Sequence, residues 1–244
     1  MPHSCFADRL GDLIDLTASE RAAVARLEDR SRELRRDTIL IREDDPHGEL
    51  FVLQRGMAMT YVLLDDGSRQ ILRFLFPGDL IAVSALVYRN SPETIVTLTD
   101  CTVSPFDRSL LVDVVTDHPR LAALLMVVTQ MAKVALTDRL AALGRTSAKA
   151  RIGALLLDIR NRLRRADKSI GETFALVLTQ EEIGDATGLT SVHVNRMLRQ
   201  LEEEGLLQRD GGRMTLLNEP MLTRIANYVD RWSGLDLSWL PPAR

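Results

Sequence analysis

Residues 37 to 107 form a succession of short runs, DTILIRE, ELFVLQRG, AMTYVLLDDG, RQILRFLFPGD and ETIVTLTDCTVSPF, in several of which apolar and polar positions alternate. A period of two puts successive side chains on opposite faces of a strand, so these runs predict antiparallel strands. Gly56, Gly67 and Gly78 recur every eleven residues, the length of one strand plus one turn, and glycine supplies the positive φ that such corners need. Strands so spaced predict a jelly-roll or barrel. Ahead of them, SERAAVARLEDRSREL predicts a helix capped by Ser19.

After Pro119 the period lengthens. Residues 120 to 143 contain neither glycine nor proline and predict one helix of about 36 Å at 1.5 Å per residue. Apolar side chains fall in two rows, one through Leu121, Leu124, Val128, Met131, Ala135 and Ala142, the other through Leu125, Ala132, Leu136, Leu140 and Leu143. Two apolar rows need two partners. One is expected to pack on the chain's own β-domain and the other on a second copy, with Leu124, Val128, Met131, Ala135 and Ala142 assigned to the homodimer seam. Gly144 and the polar RTSAKAR are expected to end the helix and form a hinge.

Beyond the hinge, AKARIGALLLDIRNRLRR predicts a further amphipathic helix, and residues 145 to 168 hold eight Lys or Arg against two Asp. Such a run is most simply a solvated face; here it also offers phosphate contacts, with Lys149 and Arg151 as candidates. In LTQEEIGDATGLTSVHVNRML, Thr179 and Glu182 have the capping-box spacing and Gly184 is small where a second helix must cross. Gly188 ends that helix and Thr190 caps the next, on which Val194, Met197 and Leu198 face inward. An ordinary helical hairpin would not demand this combination. A helix-turn-helix does, and it presents its second helix to the DNA major groove. Gln180, Thr190, Ser191, His193, Asn195, Arg196 and Arg199 are the candidate DNA-binding residues, because Arg pairs with guanine and Asn with adenine through two hydrogen bonds each. Two short strands around Asp210, Gly211 and Gly212 predict a hairpin wing.

Composition adds limits. The chain has 244 residues, long for one domain, with 45% hydrophobic and 27% charged residues and a net charge of −3. Within it, residues 172 to 213 carry eight acids and four bases, so DNA affinity must lean on the few bases near the groove and on the preceding basic segment. The N-terminus lacks a basic region followed by an apolar run, and no stretch reaches roughly 18 uninterrupted apolar residues. A cytoplasmic protein without membrane contact is expected. Two cysteines, Cys5 and Cys101, cannot supply a four-cysteine zinc or iron-sulfur site.

Taken together, the glycine-cornered GELFVLQRGMAMTYVLLDDGSRQILRFLFPGDLI, the long helix after DHPRL and the LTQEEIGDATGLTSVHVNRMLRQLEEEGLL segment resemble transcription regulators of the Crp/Fnr family over nearly the whole chain. The resemblance implies an α+β fold with three parts: an N-terminal antiparallel β-roll of the cyclic-nucleotide-binding kind (1–117), a long dimerisation helix (118–145) and a C-terminal winged helix-turn-helix (146–218). Residues 219–244 add a helical extension, with Leu222, Ile225, Ala226, Val229 and Trp232 on one face. It further implies a homodimer on a near-palindromic site of double-stranded DNA, and RNA polymerase as a partner.

The departures from the family pattern matter. Ala82-Val83 stands where Gly-Glu would hold ribose and Glu93-Thr94 where Arg-Ser would hold phosphate, while Leu136-Thr137 replaces a Thr-Ser pair. Val83, Ser84, Glu93, Thr94, Leu136 and Thr137 thus mark the effector pocket implied by the resemblance, and its chemistry repels cyclic AMP. No cofactor is expected: the N-terminal cysteine cluster of oxygen-sensing members is missing, and Pro2, His3, Cys5, His47 and Cys101 include haem-ligand types without a convincing pair. Two alternatives remain at this level, a regulator without effector and a metal-dependent jelly-roll enzyme. The second has only His47 within the β-region, and neither catalytic nor metal-binding residues are expected.

Overall fold

The structure, a computed structural model, describes residues 4–243. It divides into two compact units, each built on its own core.

The first unit runs to Val62, resumes over Leu72–Ala132 and takes in the tail from Asp236. Its elements in chain order are α1 (Cys5–Gly11), α2 (Ala18–Ala25), β1 (Arg32–Leu34), β2 (Ile39–Ile41), β3 (Glu49–Arg55), β4 (Ala58–Leu63), β5 (Arg69–Leu75), β6 (Leu80–Ile81), β7 (Thr94–Thr97), β8 (Cys101–Asp107), α3 (Arg108–Asp117) and the first half of α4 (Pro119–Arg145). Strands order as β1-β8-β3-β6 and β2-β7-β4-β5, two four-stranded antiparallel sheets. Leu34, Phe51, Leu53, Ile81, Ile95 and Val103 are among the buried side chains of one core, which is the expected jelly-roll. Gly56 shows why glycine turns the corner between β3 and β4. At φ 93° an added Cβ would lie 2.5 Å from the Asp100 carbonyl oxygen and 2.6 Å from Cys101 Sγ. Backbone preference and close approach exclude side chains together.

A second core of the same unit joins Phe6 and Leu10 of α1, Val24 of α2, Leu50 and Val52 of β3 and Phe106 of β8 to Leu121, Leu124 and Val127 of α4. The tail has a place here, since Leu237 and Leu240 pack against that cluster. The helical preface differs from its expectation. Thr17, not Ser19, caps α2, accepting from the Glu20 amide at 3.1 Å while Glu20 accepts from the Thr17 amide at 2.9 Å. The predicted helix also ends early, because Arg32–Leu34 pairs with Cys101–Val103 as a strand. An edge position in a sheet outweighs local helix preference.

The second unit comprises Leu63–Ile71 and Lys133–Leu235. It holds the second half of α4, α5 (Ala148–Ala166), β9 (Thr173–Ala175), α6 (Gln180–Thr187), α7 (Ser191–Glu203), β10 (Leu207–Asp210), β11 (Arg213–Leu216) and α8 (Glu219–Ala226). Helix α4 does not stop at Gly144 but continues to Arg145; the break falls at Thr146 and Ser147, where the Ser147 hydroxyl accepts from the Ala150 amide at 3.2 Å. Helix α4 is long and apolar enough to cross a membrane, with a mean hydropathy of 1.5 over its most apolar stretch, although it holds no uninterrupted apolar run of that length. The buried row in the jelly-roll unit accounts for only part of that apolarity. Ile152, Leu156, Leu157 and Ile159 of α5, Leu198 and Leu201 of α7 and Leu222 of α8 are buried in the second unit. The three-stranded sheet orders β10-β11-β9, and Gly211 and Gly212 at φ 52° and 82° make the two-residue turn of the wing. Strand β9 carries no sequence signal. The extension helix ends at Ala226, with Asn227 left-handed at φ 49°, so Val229 and Trp232 do not extend its apolar face.

Candidate nucleic-acid interface

The turn between α6 and α7 is fixed from both sides. At the start of α6 the Thr179 hydroxyl accepts from the Glu182 amide at 3.1 Å, and the Glu182 carboxylate accepts from the Thr179 amide at 2.7 Å. At its end Gly188 adopts φ 66°, and the Leu189 amide returns to the Gly184 carbonyl at 3.0 Å. A Cβ on Gly184 would stand 2.3 Å from the Leu189 carbonyl oxygen, so only glycine lets the chain double back here.

Further contacts hold the C-terminal end of α6. Arg139 Nη2 donates to the carbonyls of Ala186 at 2.7 Å and Ile71 at 3.0 Å, and Gln70 Nε2 donates to the Asp185 carbonyl at 2.7 Å. Arg69 pairs with the Asp185 carboxylate at 2.7 Å. Cations at a helix C-terminus satisfy carbonyls that lack intrahelical partners and oppose the negative end of the dipole. Burial pulls the Arg139 pKa down to about 10, which leaves it charged at neutral pH.

Helix α7 is capped by Thr190, whose hydroxyl accepts from the His193 amide at 3.3 Å, and is anchored by buried Val194, Leu198 and Leu201. Val192, Arg196, Arg199 and Glu203 lie on the opposite side. Gln180, Thr190, Ser191, Arg196 and Arg199 are exposed as expected, while His193 and Asn195 are half-buried on the flanks and Met197 is half-buried rather than fully inward. Val192, which the resemblance sets with Ser191 where family members carry a base-reading Arg-Glu pair, is not among the candidate DNA-binding residues. It is 78% exposed in the middle of the presented face, and apolar contact with a thymine methyl is the readout such a side chain offers. The signal was available: with positions 194, 198 and 201 inward, position 192 must point out.

The basic segment is a correction. Lys149 and Arg151, expected on phosphates, have internal duties: Lys149 Nζ bonds both Glu204 oxygens at 2.8 and 3.0 Å, and Arg151 Nη1 donates to the Leu143 carbonyl at 3.0 Å. Arg160 is fully buried and paired with Glu219, Arg164 donates to the Ile170 carbonyl at 3.0 Å, and Arg165 joins Asp230 at 3.1 Å while stacking on Trp232. At the wing, Arg209 is bound by Glu202, whose carboxyl it holds below the usual range. Local charge therefore overstates what DNA meets. Arg196, Arg199 and Arg213 remain as exposed bases on the α7 and wing surface.

The assigned dimer row is a second correction. Leu124 is buried in the chain's own core, and Val128 and Met131 pack half-buried against it. They sit one to two helical turns from Leu124 on the same side, which the chain's own core covers. Ala135 is exposed and Ala142 half-buried, and the large side chains that α4 leaves open include Leu136, 45% exposed, and Leu140, 72% exposed, of the other row, beside Met126 and Val134 of neither. The chain's own core thus takes up the N-terminal part of the row assigned to the seam.

The effector residues implied by the resemblance are scattered over several environments. Glu93 is buried and its carboxylate is taken by Arg73 Nη2 at 2.7 Å; Thr94 Oγ1 accepts from the Glu43 amide at 3.0 Å. Ser84 Oγ lies 3.3 Å from His47 Nε2, and Val83 follows left-handed Ala82 at φ 61°. Leu136 and Thr137 belong to the second unit, where the Thr137 hydroxyl donates to the Lys133 carbonyl at 3.0 Å. Arg73→Ala should leave a buried carboxylate unpaired and cost about 2 kcal/mol, as denaturant midpoints would show, with Glu93→Leu added to it restoring part of the loss. Equal stability of Arg73→Ala and the parent would show that the pair contributes nothing.

Of the haem candidates, Pro2 and His3 lie outside the described residues. Cys5 donates to the Gln54 carbonyl at 3.2 Å, and burial, then Glu28, pushes its thiol up to about 11. Cys101 is fully buried against the Met57 carbonyl at 3.3 Å, so neither sulfur presents a ready thiolate. Among the described residues no three His, Cys, Asp or Glu gather in a way that would hold a metal ion.

Comparison with known proteins agrees with this arrangement. Residues 31–118 match the family described as a cyclic nucleotide-binding domain, and residues 150–225 match the one described as a Crp-like helix-turn-helix domain. The chain is 30% identical over 169 residues to transcriptional activatory protein AadR of Rhodopseudomonas palustris, which covers 69% of each protein. It is 27% identical over 218 residues to transcriptional activator protein anr of Pseudomonas aeruginosa, covering 87% of each. The structure of FixK2 from Bradyrhizobium japonicum superposes with a TM-score of 0.73 at 28% identity, covering 80% of this chain and 96% of that one.

Proposed function

This chain belongs to the Crp/Fnr family of DNA-binding transcription regulators, and we propose that it works in the cytoplasm as a homodimer reading a near-palindromic DNA site. The observation that carries the reading is the α7 surface, where Val192, Arg196 and Arg199 are presented by a helix locked from behind through Val194, Leu198 and Leu201. Two such helices related by a twofold axis enter successive major grooves, which makes the site symmetric. Val192 reads a thymine methyl, Arg196 a guanine edge, and Gln180, Thr190 and Ser191 hold phosphates or flanking bases. The exposed row of α4 supplies the second copy's contact. The relatives named as activators suggest RNA polymerase as the protein partner on DNA.

Regulation in this reading comes from binding in the β-roll, not from catalysis. A signal there shifts the DNA-binding state only if it binds one arrangement more tightly than the other. Cyclic AMP in the family mode is not that signal in this reading, which rests on Glu93 standing where the resemblance needs an arginine for the phosphate and is supported by its ion pair with Arg73. The same ion pair favours, as the second reading, a regulator that needs no effector.

Arg196→Ala should weaken binding to a selected site by about 1 to 3 kcal/mol, or roughly fivefold to 150-fold, and relax the preference at one base pair of each half-site. Titration of the full chain against the selected site and single-base variants measures both. Unchanged affinity and preference would remove Arg196 from base readout and with it the proposed face.

A further inference from the structure

Away from both sites already described, the β-roll carries an open depression of about 430 Å³ lined by His47, Val87, Tyr88, Arg89 and Arg108 among others, none of them acidic. We propose that this depression binds a phosphate monoester whose phosphate is held by Arg89 and Arg108 beside the His47 ring and whose ring or apolar body lies on Val87 and Tyr88.

The floor is built before any ligand arrives. The segments 44–48 and 87–91 are joined by a bridge between Pro46 and Asn90 and by three amide-to-carbonyl bonds, Asp44 to Ser91 at 2.8 Å, Ser91 to Asp45 at 3.0 Å and His47 to Arg89 at 3.2 Å. Tyr88 is held in turn by its amide on the Ser84 carbonyl at 2.8 Å. Two guanidiniums from separate elements, Arg89 on the loop and Arg108 at the start of α3, thus converge on a fixed surface with an imidazole beside them. Like charges gathered without a lining carboxylate repel one another, and an oxyanion between them removes that repulsion. His47 and Arg108 line the same depression, and burial first, then the Arg108 charge, lowers the His47 pKa. Planar guanidiniums bond tetrahedral oxyanions through paired N–H groups, and a dianion satisfies two arginines where a single carboxylate serves one.

The rim explains the organic part of the ligand. Val87 is 79% and Tyr88 59% exposed, an apolar step beside a cationic floor. Bare side chains of this kind gain by covering a ring, and inorganic phosphate would leave them wet. Val83, Ser84, Glu93 and Thr94 of the pocket implied by family resemblance do not line the depression, although Ser84 touches His47 and Tyr88 from behind.

Phenyl phosphate is the probe. Titrated into the full chain at low salt, it should give saturable heat in calorimetry and shift the His47 ring resonances in NMR spectra. Arg89→Ala and Arg108→Ala should each weaken it about tenfold or more, while thermal melts confirm that both variants, altered at exposed positions, stay folded. Inorganic phosphate should bind more weakly than phenyl phosphate, and Tyr88→Ala should narrow that difference. Absence of binding at millimolar phenyl phosphate, or binding indifferent to both arginines, would overturn the site; equal affinity for inorganic phosphate would overturn the ring-bearing ligand. DNA binding plays no part in the readout, so the outcome is independent of the proposed dimer on its operator.

Discussion

Aspartate at both Leu136 and Leu140 should turn the proposed dimer into a monomer in light scattering and weaken binding to a two-half-site operator on the order of 10²- to 10⁴-fold. That factor is the gain from tethering two binding modules, and it disappears when the second module is no longer held at high effective concentration. Leu136 and Leu140 are exposed on α4, so in the proposed dimer charges there meet the second copy and not the chain's own core. The neighbouring row gives the contrast. Aspartate at Val128 and Met131 would enter the chain's own α1-α2-α4 core, and its first effect should be a lowered melting temperature of the jelly-roll unit. If Leu136→Asp with Leu140→Asp still scattered as a dimer, the seam would not run along this face; if the core variants gave folded monomers, the rows would be as the sequence alone suggests.

Two glycine-to-alanine replacements, both within helices, should move stability in opposite directions. Gly184→Ala places a methyl 2.3 Å from the Leu189 carbonyl oxygen, a backbone atom that cannot swing away as a side chain end can. Overpacking of this kind costs typically 1 to 3 kcal/mol and sometimes more, and the clash is severe enough to reach or exceed the top of that range. The helix preference of alanine offsets about 1 kcal/mol, so the net loss is about 2 kcal/mol or more, a drop of roughly 10 °C for a unit of this size. DNA binding should fall with it, because the same turn sets the angle of α7. Gly144→Ala meets nothing within 4 Å and keeps only the helix gain, a rise of up to about 1 kcal/mol. Calorimetric melts of the two variants decide the matter: equal shifts of the same sign would mean that the α6-α7 turn yields to a methyl and that Gly184 is not the constraint.

The local patterns of this chain determined most of its elements. Alternation in 37 to 107 and glycine at eleven-residue steps specify strands and corners, because period and positive φ are properties of a few adjacent residues. Thr179, Glu182, Gly184, Gly188 and Thr190 specify a helix-turn-helix for the same reason, and the structure reproduces each of their roles. Two apolar rows on α4 were equally legible. Which row meets which partner was not, since both satisfy the helical period and only the docking of α1, α2 and β3 against Leu121, Leu124 and Val127 selects one. Strand β9, too short to carry a pattern, exists because β11 offers it an edge to pair with. The basic run 145 to 168 shows the limit most clearly: charge counts along a chain are additive, whereas availability depends on folded neighbours. Glu204, Glu219 and Asp230, all distant in sequence, pair with Lys149, Arg160 and Arg165 within the second unit. By the same logic Val192, absent from the polar candidates, becomes central to the presented face once Val194, Leu198 and Leu201 are seen to point inward.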